Sequence, residues 1–174
     1  MRKRQLVIAS TIVVVVAAAG IAAWAALRAR EPEWTTDSPA ALAEMRLGME
    51  ASQKYYWQEA NGHFAKALEL DPHFAMALRM LMRTTESKER REELRRRLAA
   101  VDRARLSPRE AFLVEYTLAQ SAEAPREKLD AIVADYLQKH PRDPYALAAQ
   151  ADLCWETRRW DDAEKTFQEL LAIE

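Results

Sequence analysis

Trp57, Ala60 and Phe64 recur in the same order and at the same spacing as Trp160, Ala163 and Phe167. The offset is 103 residues, about three periods of 34. A large aromatic, a small residue three on and a second aromatic four further on share one face of a helix. There the small residue admits a neighbouring helix, and the aromatics fill the space beside it. A period near 34 belongs to a helix–turn–helix unit that cannot bury its apolar face alone and must stack on copies of itself. The six residues are therefore candidates for packing between repeats, and the chain reads as an α-solenoid. Such a fold turns the functional question from which reaction is catalysed to what is held.

A second pattern has nearly the same period. Ser38-Pro39, Asp71-Pro72, Ser107-Pro108 and Asp143-Pro144 recur at intervals of 33, 36 and 36 residues. A Ser or Asp at the N-cap accepts a hydrogen bond from the first turn, and a proline at N1 lacks the amide that would go unpaired there. Glu110 follows Ser107 at capping-box spacing. The four pairs predict the starts of four first-helices, one per repeat.

The stretch from Leu47 to Pro72 resembles a tetratricopeptide (TPR) unit, with Leu47-Gly48, Trp57, Ala60, Phe64, Ala67-Leu68 and a closing Asp71-Pro72. The stretch from Pro141 to Leu171 matches less completely: it has Trp160, Ala163, Phe167 and Leu170-Leu171, but Ala151 where that family often has Gly. Between them, Phe74 to His140 is degenerate. Its segments Leu106 to Glu110 and Glu127 to Pro144 resemble divergent TPR arrays found outside the membrane in bacterial signalling and assembly proteins. The resemblance covers residues 39–174 and implies about four TPR-like repeats. It implies little about the ligand, because one fold hosts many functions. Three glycines in 174 residues, seven prolines at the joints and abundant Ala, Leu, Glu and Arg agree with an all-α chain.

The N-terminus differs in kind. After a basic start over residues 1–5, Leu6 to Leu27 runs 22 residues without a charge, about 33 Å as a helix and the thickness of a bilayer's hydrocarbon core. Ten of these residues are Leu, Ile or Val, which favour insertion by about 3 to 6 kcal/mol. Arg2, Lys3 and Arg4 precede the span; Arg28 and Arg30 follow it, diluted by Glu31 and Glu33. The bias of positive charge predicts a single-pass anchor in a bacterial inner membrane, with the N-terminus cytoplasmic and the repeats periplasmic. A cleaved signal peptide, with Ala17-Ala18-Ala19 before the cut, is the alternative and leaves the repeats on the same side. Residues 28–38 form a short tether, too short to carry the repeats far from the membrane surface. Ala18, Ala22 and Ala26 have the small-residue spacing that packs one membrane helix on another.

Residues 31–174 carry 21 Lys or Arg against 27 Asp or Glu, a net of −6. An acidic domain without a basic groove is a poor nucleic-acid binder. The basic run from Arg90 to Arg97 reads as a solvated helix face, with Glu86–Arg90, Glu92–Arg96 and Glu93–Arg97 as i,i+4 pairs over a buried stripe of Leu94, Leu98 and Val101.

The residues expected of an enzyme do not assemble. His63, His73 and His140 share no metal-ligand spacing, and His63 and His140 fall at or near expected helix ends. Cys154 is the only cysteine, read as a small buried group. No catalytic, cofactor or metal site is expected, and no enzyme.

What remains is the face that stacked first-helices create. Counted from the start of each repeat, its candidates are Leu42, Met45 and Met49, then Met76, Arg79 and Arg83, then Val114 and Leu118, then Tyr145, Asp152 and Trp155. Family members that clamp a chaperone's C-terminal carboxylate use Lys and Asn where this chain has Met45 and Met49, so the resemblance does not imply that activity. Methionines adapt to a peptide or helix with an apolar face. The expected function is a non-catalytic scaffold or adaptor for a protein partner. The alternative is an accessory subunit built permanently into a larger membrane complex. Phe167, Leu170, Leu171 and Ile173 exceed what one inward stripe of a final helix requires, which predicts that a partner or a further repeat covers that end.

Overall fold

A computed structural model of the chain describes residues 34–173. The expected basic start, the membrane span 6–27 and the tether up to residue 33 lie outside the described residues. Among the described residues the chain is all-α, with no strand, and no helix is long and apolar enough to cross a membrane. Residues from Thr35 onward form one compact unit.

Among the described residues eight α-helices follow one another: α1 (Pro39–Gln53), α2 (Trp57–Leu70), α3 (Ala75–Thr84), α4 (Lys88–Ala99), α5 (Pro108–Ser121), α6 (Arg126–Lys139), α7 (Pro144–Glu156) and α8 (Trp160–Leu171), with one 3-10 turn at Arg103–Arg105. They pack as four hairpins, α1 with α2 through α7 with α8, and each hairpin rests on the next. Helix α3 also contacts α5, first helix upon first helix. The first helices begin at Pro39, Ala75, Pro108 and Pro144, 36, 33 and 36 residues apart. This is a repeat-like helical architecture that fits an α-solenoid.

Three of the four helix starts follow the expected chemistry. Ser38 accepts from the Ala41 amide, Ser107 from Glu110 within a full capping box, and Asp143 from Tyr145 and Ala146, each with proline next. The Asp71-Pro72 pair does not start a helix. Asp71 ends α2, its Oδ1 accepts from the His73 amide and its Oδ2 from the Thr36 hydroxyl, so its side chain is committed to the turn. Helix α3 starts three residues later behind Phe74, without a side-chain cap.

The turns inside three hairpins are the same device. Tyr55, Glu123 and Arg158 take left-handed backbone angles, with φ of 63°, 51° and 60°. The residue after each donates back across the helix end: Tyr56 to Ala51, Ala124 to Ala119 and Arg159 to Cys154, at 2.9, 3.0 and 2.9 Å. This closes orphan carbonyls in the six-to-one pattern that usually has glycine at its left-handed position. Here none of the three is glycine, which hides the turns from a reading of sequence.

The core is a ribbon through the hairpins. Ala60, Phe64, Phe74, Leu94, Leu98, Val114 and Val133 are almost fully buried. Ala60 and Ala163 are the small contact residues that the repeated motif requires, with 0% and 2% exposure. The aromatics of that motif divide. Phe64 is fully buried, whereas Phe167 is 39% exposed, and Trp57 and Trp160 are half exposed. The Phe64 ring fills the space left by Gly48 of α1; among the described residues no helix follows α8. The two tryptophans begin their helices at the hairpin edge. There Trp57 meets Tyr55 and Trp160 meets Trp155 edge to face.

Other details depart from expectation. Val101 lies beyond the end of α4 and is only half-buried, so the stripe is Leu94 and Leu98. The charge pairs on α4 form as Arg90–Glu93, Arg95–Glu92 and Arg97–Glu93. Arg97–Glu93 is the expected i,i+4 pair, whereas the other two form at i,i+3 in place of Glu86–Arg90 and Glu92–Arg96. His63 sits in the middle of α2, its Nδ1 2.7 Å from Glu44 Oε2 on α1. His140 is the C-cap of α6 and stacks on Tyr136. Cys154 is buried on α7, and burial pushes its thiol pKa up.

Candidate functional site

The first-helix face combines residues of α3, α5 and α7. Arg79 on α3 reaches α5, where its Nε donates to Thr117 Oγ1 at 2.9 Å. Arg83 follows one turn along α3 and is exposed. The phenols of Tyr116 and Tyr145 lie within electrostatic reach of Arg79, and Arg83 lies within reach of Asp152 on α7. Burial, then Asp152, pushes the Tyr116 phenol up to about 12. Burial, reinforced by Glu156, raises the Asp152 carboxyl, while Arg83 opposes that shift. Glu156 is itself paired with Arg126 of α6.

The expected groove residues separate into two sets. Met45, Met76 and Val114 are buried to within 1% and belong to the core rather than to an accessible wall. The contacts explain the correction: α1, which carries Met45, packs on α2, and α3 and α5, which carry Met76 and Val114, pack on each other. Leu42, Met49, Leu118 and Tyr145 are half-buried, and Arg83, Asp152 and Trp155 are exposed. The accessible part of this face is thus more polar than the methionine-lined groove expected from sequence.

A second surface lies on the last hairpin. Trp155, Trp160, Ala163, Phe167 and Leu171 line an open groove of about 370 Å³, edged by Glu164 and Gln168. Trp155 is 60% and Leu171 72% exposed. The i,i+3,i+4 spacing of α8 puts these apolar side chains on one stripe. Large exposed aromatics gathered in one groove are uncommon on a surface where apolar side chains are scattered singly.

A third feature was not legible in sequence. Thr35 donates to Glu110 twice, from its amide at 2.7 Å and its hydroxyl at 2.6 Å. Glu110 also accepts from the Ser107 amide at 2.9 Å and is fully buried. Thr36 donates to Asp71, and Arg105 pairs with Asp37 at 2.5 Å. A pocket of about 340 Å³, lined by both polar and apolar side chains, opens beside this clasp. Residues 35–38 are therefore bonded into the helical unit, and the free tether expected up to residue 38 ends earlier. The capping-box spacing marked Glu110, but its long-range acceptor role had no local signature.

Further along, Asp143 joins α5, α6 and α7: it caps α7, accepts from Arg109 Nε at 2.7 Å and from the Tyr136 hydroxyl at 3.2 Å. Tyr136 in turn stacks on Phe112 with ring centres 4.3 Å apart. This network positions helices. Among the described residues no three His, Cys, Asp or Glu side chains converge to hold a metal ion. No family model and no curated protein matches this chain.

Proposed function

We propose that this chain is a non-catalytic, TPR-like adaptor, anchored in a bacterial inner membrane by residues 6–27, whose helical domain holds a protein partner. The observation that carries the reading is the apolar groove of Trp155, Trp160, Phe167 and Leu171. Apolar side chains concentrated at that density stabilise a complex through burial, at about 25 cal/mol per Å² removed from water before the costs of association. The repeat-like stacking supports the same reading, because such folds present extended surfaces for other chains. The uncharged span and its basic flank support the anchor.

The test is recovery of partners from solubilised membranes with the intact chain and with Leu171→Lys. The adaptor reading expects one protein that the wild type retains and Leu171→Lys loses. Recovery of nothing specific by either would sink it. A second reading, a subunit built permanently into a membrane complex, is favoured by how few polar groups line the groove, as in obligate interfaces. That reading expects stoichiometric recovery that high salt leaves intact.

A further inference from the structure

Arg79 is a charge without a counter-charge. Its residue is 8% exposed, and its donors meet only the Thr117 hydroxyl at 2.9 Å and, weakly, the Met80 sulfur at 3.5 Å. Among the described residues no carboxylate pairs with it. The charged side chain that acts on it is another cation, Arg83. Buried charges in folded proteins are paired, because stripping water from an ion costs several kcal/mol unless a partner replaces it. Burial, then Arg83, pushes the Arg79 guanidinium down to about 10, so it remains charged at neutral pH. Ser52 Oγ is the single sealed side-chain polar atom without a partner among the described residues. Arg79 Nη2, which has no hydrogen-bond partner among the described residues, is therefore not fully sealed from solvent.

We propose that Arg79, supported by Arg83, receives the carboxylate of an acidic side chain from a bound protein segment lying on this face. The planar guanidinium offers two parallel donors that match a carboxylate. Its Nε is fixed by Thr117, so the fork is oriented before the ligand arrives. Tyr116 and Tyr145 lie within electrostatic reach of it, and half-buried Leu118 stands one residue after Thr117 on α5. A nucleic-acid phosphate is the wrong occupant, because residues 31–174 carry a net −6, which repels a polyanion. Arg83 is partly answered by Asp152; the unanswered charge is that of Arg79. This inference rests on the adaptor reading and specifies a second contact for it, away from the α8 groove.

The test is selection of random dodecapeptides, displayed with both ends blocked by fusion, on the full chain in detergent micelles. The expected result is enrichment of peptides with an Asp or Glu at a fixed position. Arg79→Met should weaken them at least about tenfold, as expected for losing a charge-assisted bond. Arg79→Lys, which keeps the charge but not the fork, should weaken them less. Arg79→Met should unfold at the same or a higher temperature, because it removes an uncompensated charge. Enriched peptides without acids, or equal binding by wild type and both variants, overturn the inference and leave the adaptor reading standing. Binding seen only in a second library with free C-termini assigns the site to a chain end and overturns the side-chain source. No enrichment in either library overturns the inference, and the adaptor reading then rests on membrane recovery alone.

Discussion

A Cβ built on Gly48 would lie 2.5 Å from Cε1 of Phe64 and 2.7 Å from its Cδ1. Helices α1 and α2 close to this distance because position 48 has no side chain, and the Phe64 ring occupies the space. Gly48→Ala gains up to about 1 kcal/mol of helix propensity, but the overlap costs about 1 to 3 kcal/mol. The net expectation is a loss of about 1 kcal/mol in denaturant unfolding. Phe64→Leu in the same chain should recover part of it, so that the double variant loses less than the two singles combined. Gly62, on the same hairpin, has nothing within 4 Å of its added Cβ. Gly62→Ala should therefore stabilise by about 0.5 to 1 kcal/mol. If Gly48→Ala gained as much as Gly62→Ala, the close approach would be wrong.

The left-handed turn residues lead to a second expectation. Glu123 is exposed at φ 51°, a conformation that costs an L-residue about 1 to 2 kcal/mol. Glu123→Gly should raise the unfolding temperature slightly, since relief of the strain outweighs glycine's extra entropy of about 0.5 to 1 kcal/mol. Glu123→Val should lower it, because β-branching tolerates this region least. The reverse order of the two variants would contradict the turn.

Glu110 ties the segment before α1 to the start of α5. Glu110→Gln replaces one of two acceptor oxygens by a donor, leaving unmet either the Thr35 amide held by Oε1 or the Ser107 amide held by Oε2, at a cost of about 1 to 3 kcal/mol. Hydrogen exchange should accelerate at the Thr35 or the Ser107 amide and leave those of α8 unchanged. A uniform change along the whole unit would show that the clasp is not local.

Glu44 joins α1 to α2 through Lys66 at 2.5 Å and His63 at 2.7 Å. The Lys66 hydrogen bond, then that of His63, holds its carboxyl below the ordinary glutamate value. A lowered folded pKa contributes stability above the unfolded value, and that contribution disappears as pH falls through the folded pKa. Carboxyl titration followed by NMR should place Glu44 below the exposed glutamates, and Lys66→Met should move its midpoint upward. An unmoved midpoint would remove Lys66 as the cause.

The proposed topology is checked with a reporter joined after Glu174. Arg2, Lys3 and Arg4 outweigh the acid-diluted flank at Arg28 and Arg30. Activity is expected only on the side opposite the cytoplasm, and activity only within the cytoplasm would reverse the assignment.

Sequence alone determined the helical class, the period of the hairpins and three of the four first-helix starts. These follow from local rules, 3.6-residue periodicity and N-cap chemistry, that act within a few residues. It also marked Ala60 and Ala163 as points of close approach, since only a small side chain lets two helices meet. Tertiary structure decided what identical motifs become. Phe64 and Phe167 hold equivalent positions, yet the first is fully buried against Gly48 of α1 and the second is 39% exposed. Met45, Met76 and Val114 had the periodicity of a groove and became core, because burial depends on how tightly the next helix packs. The Thr35–Glu110 bonds span 75 residues, and the isolation of Arg79 from every described carboxylate is a relation among α3, α5 and α7. Neither can be read along the chain, because a side chain's partner is fixed by which helices meet, and that is settled only when the hairpins stack.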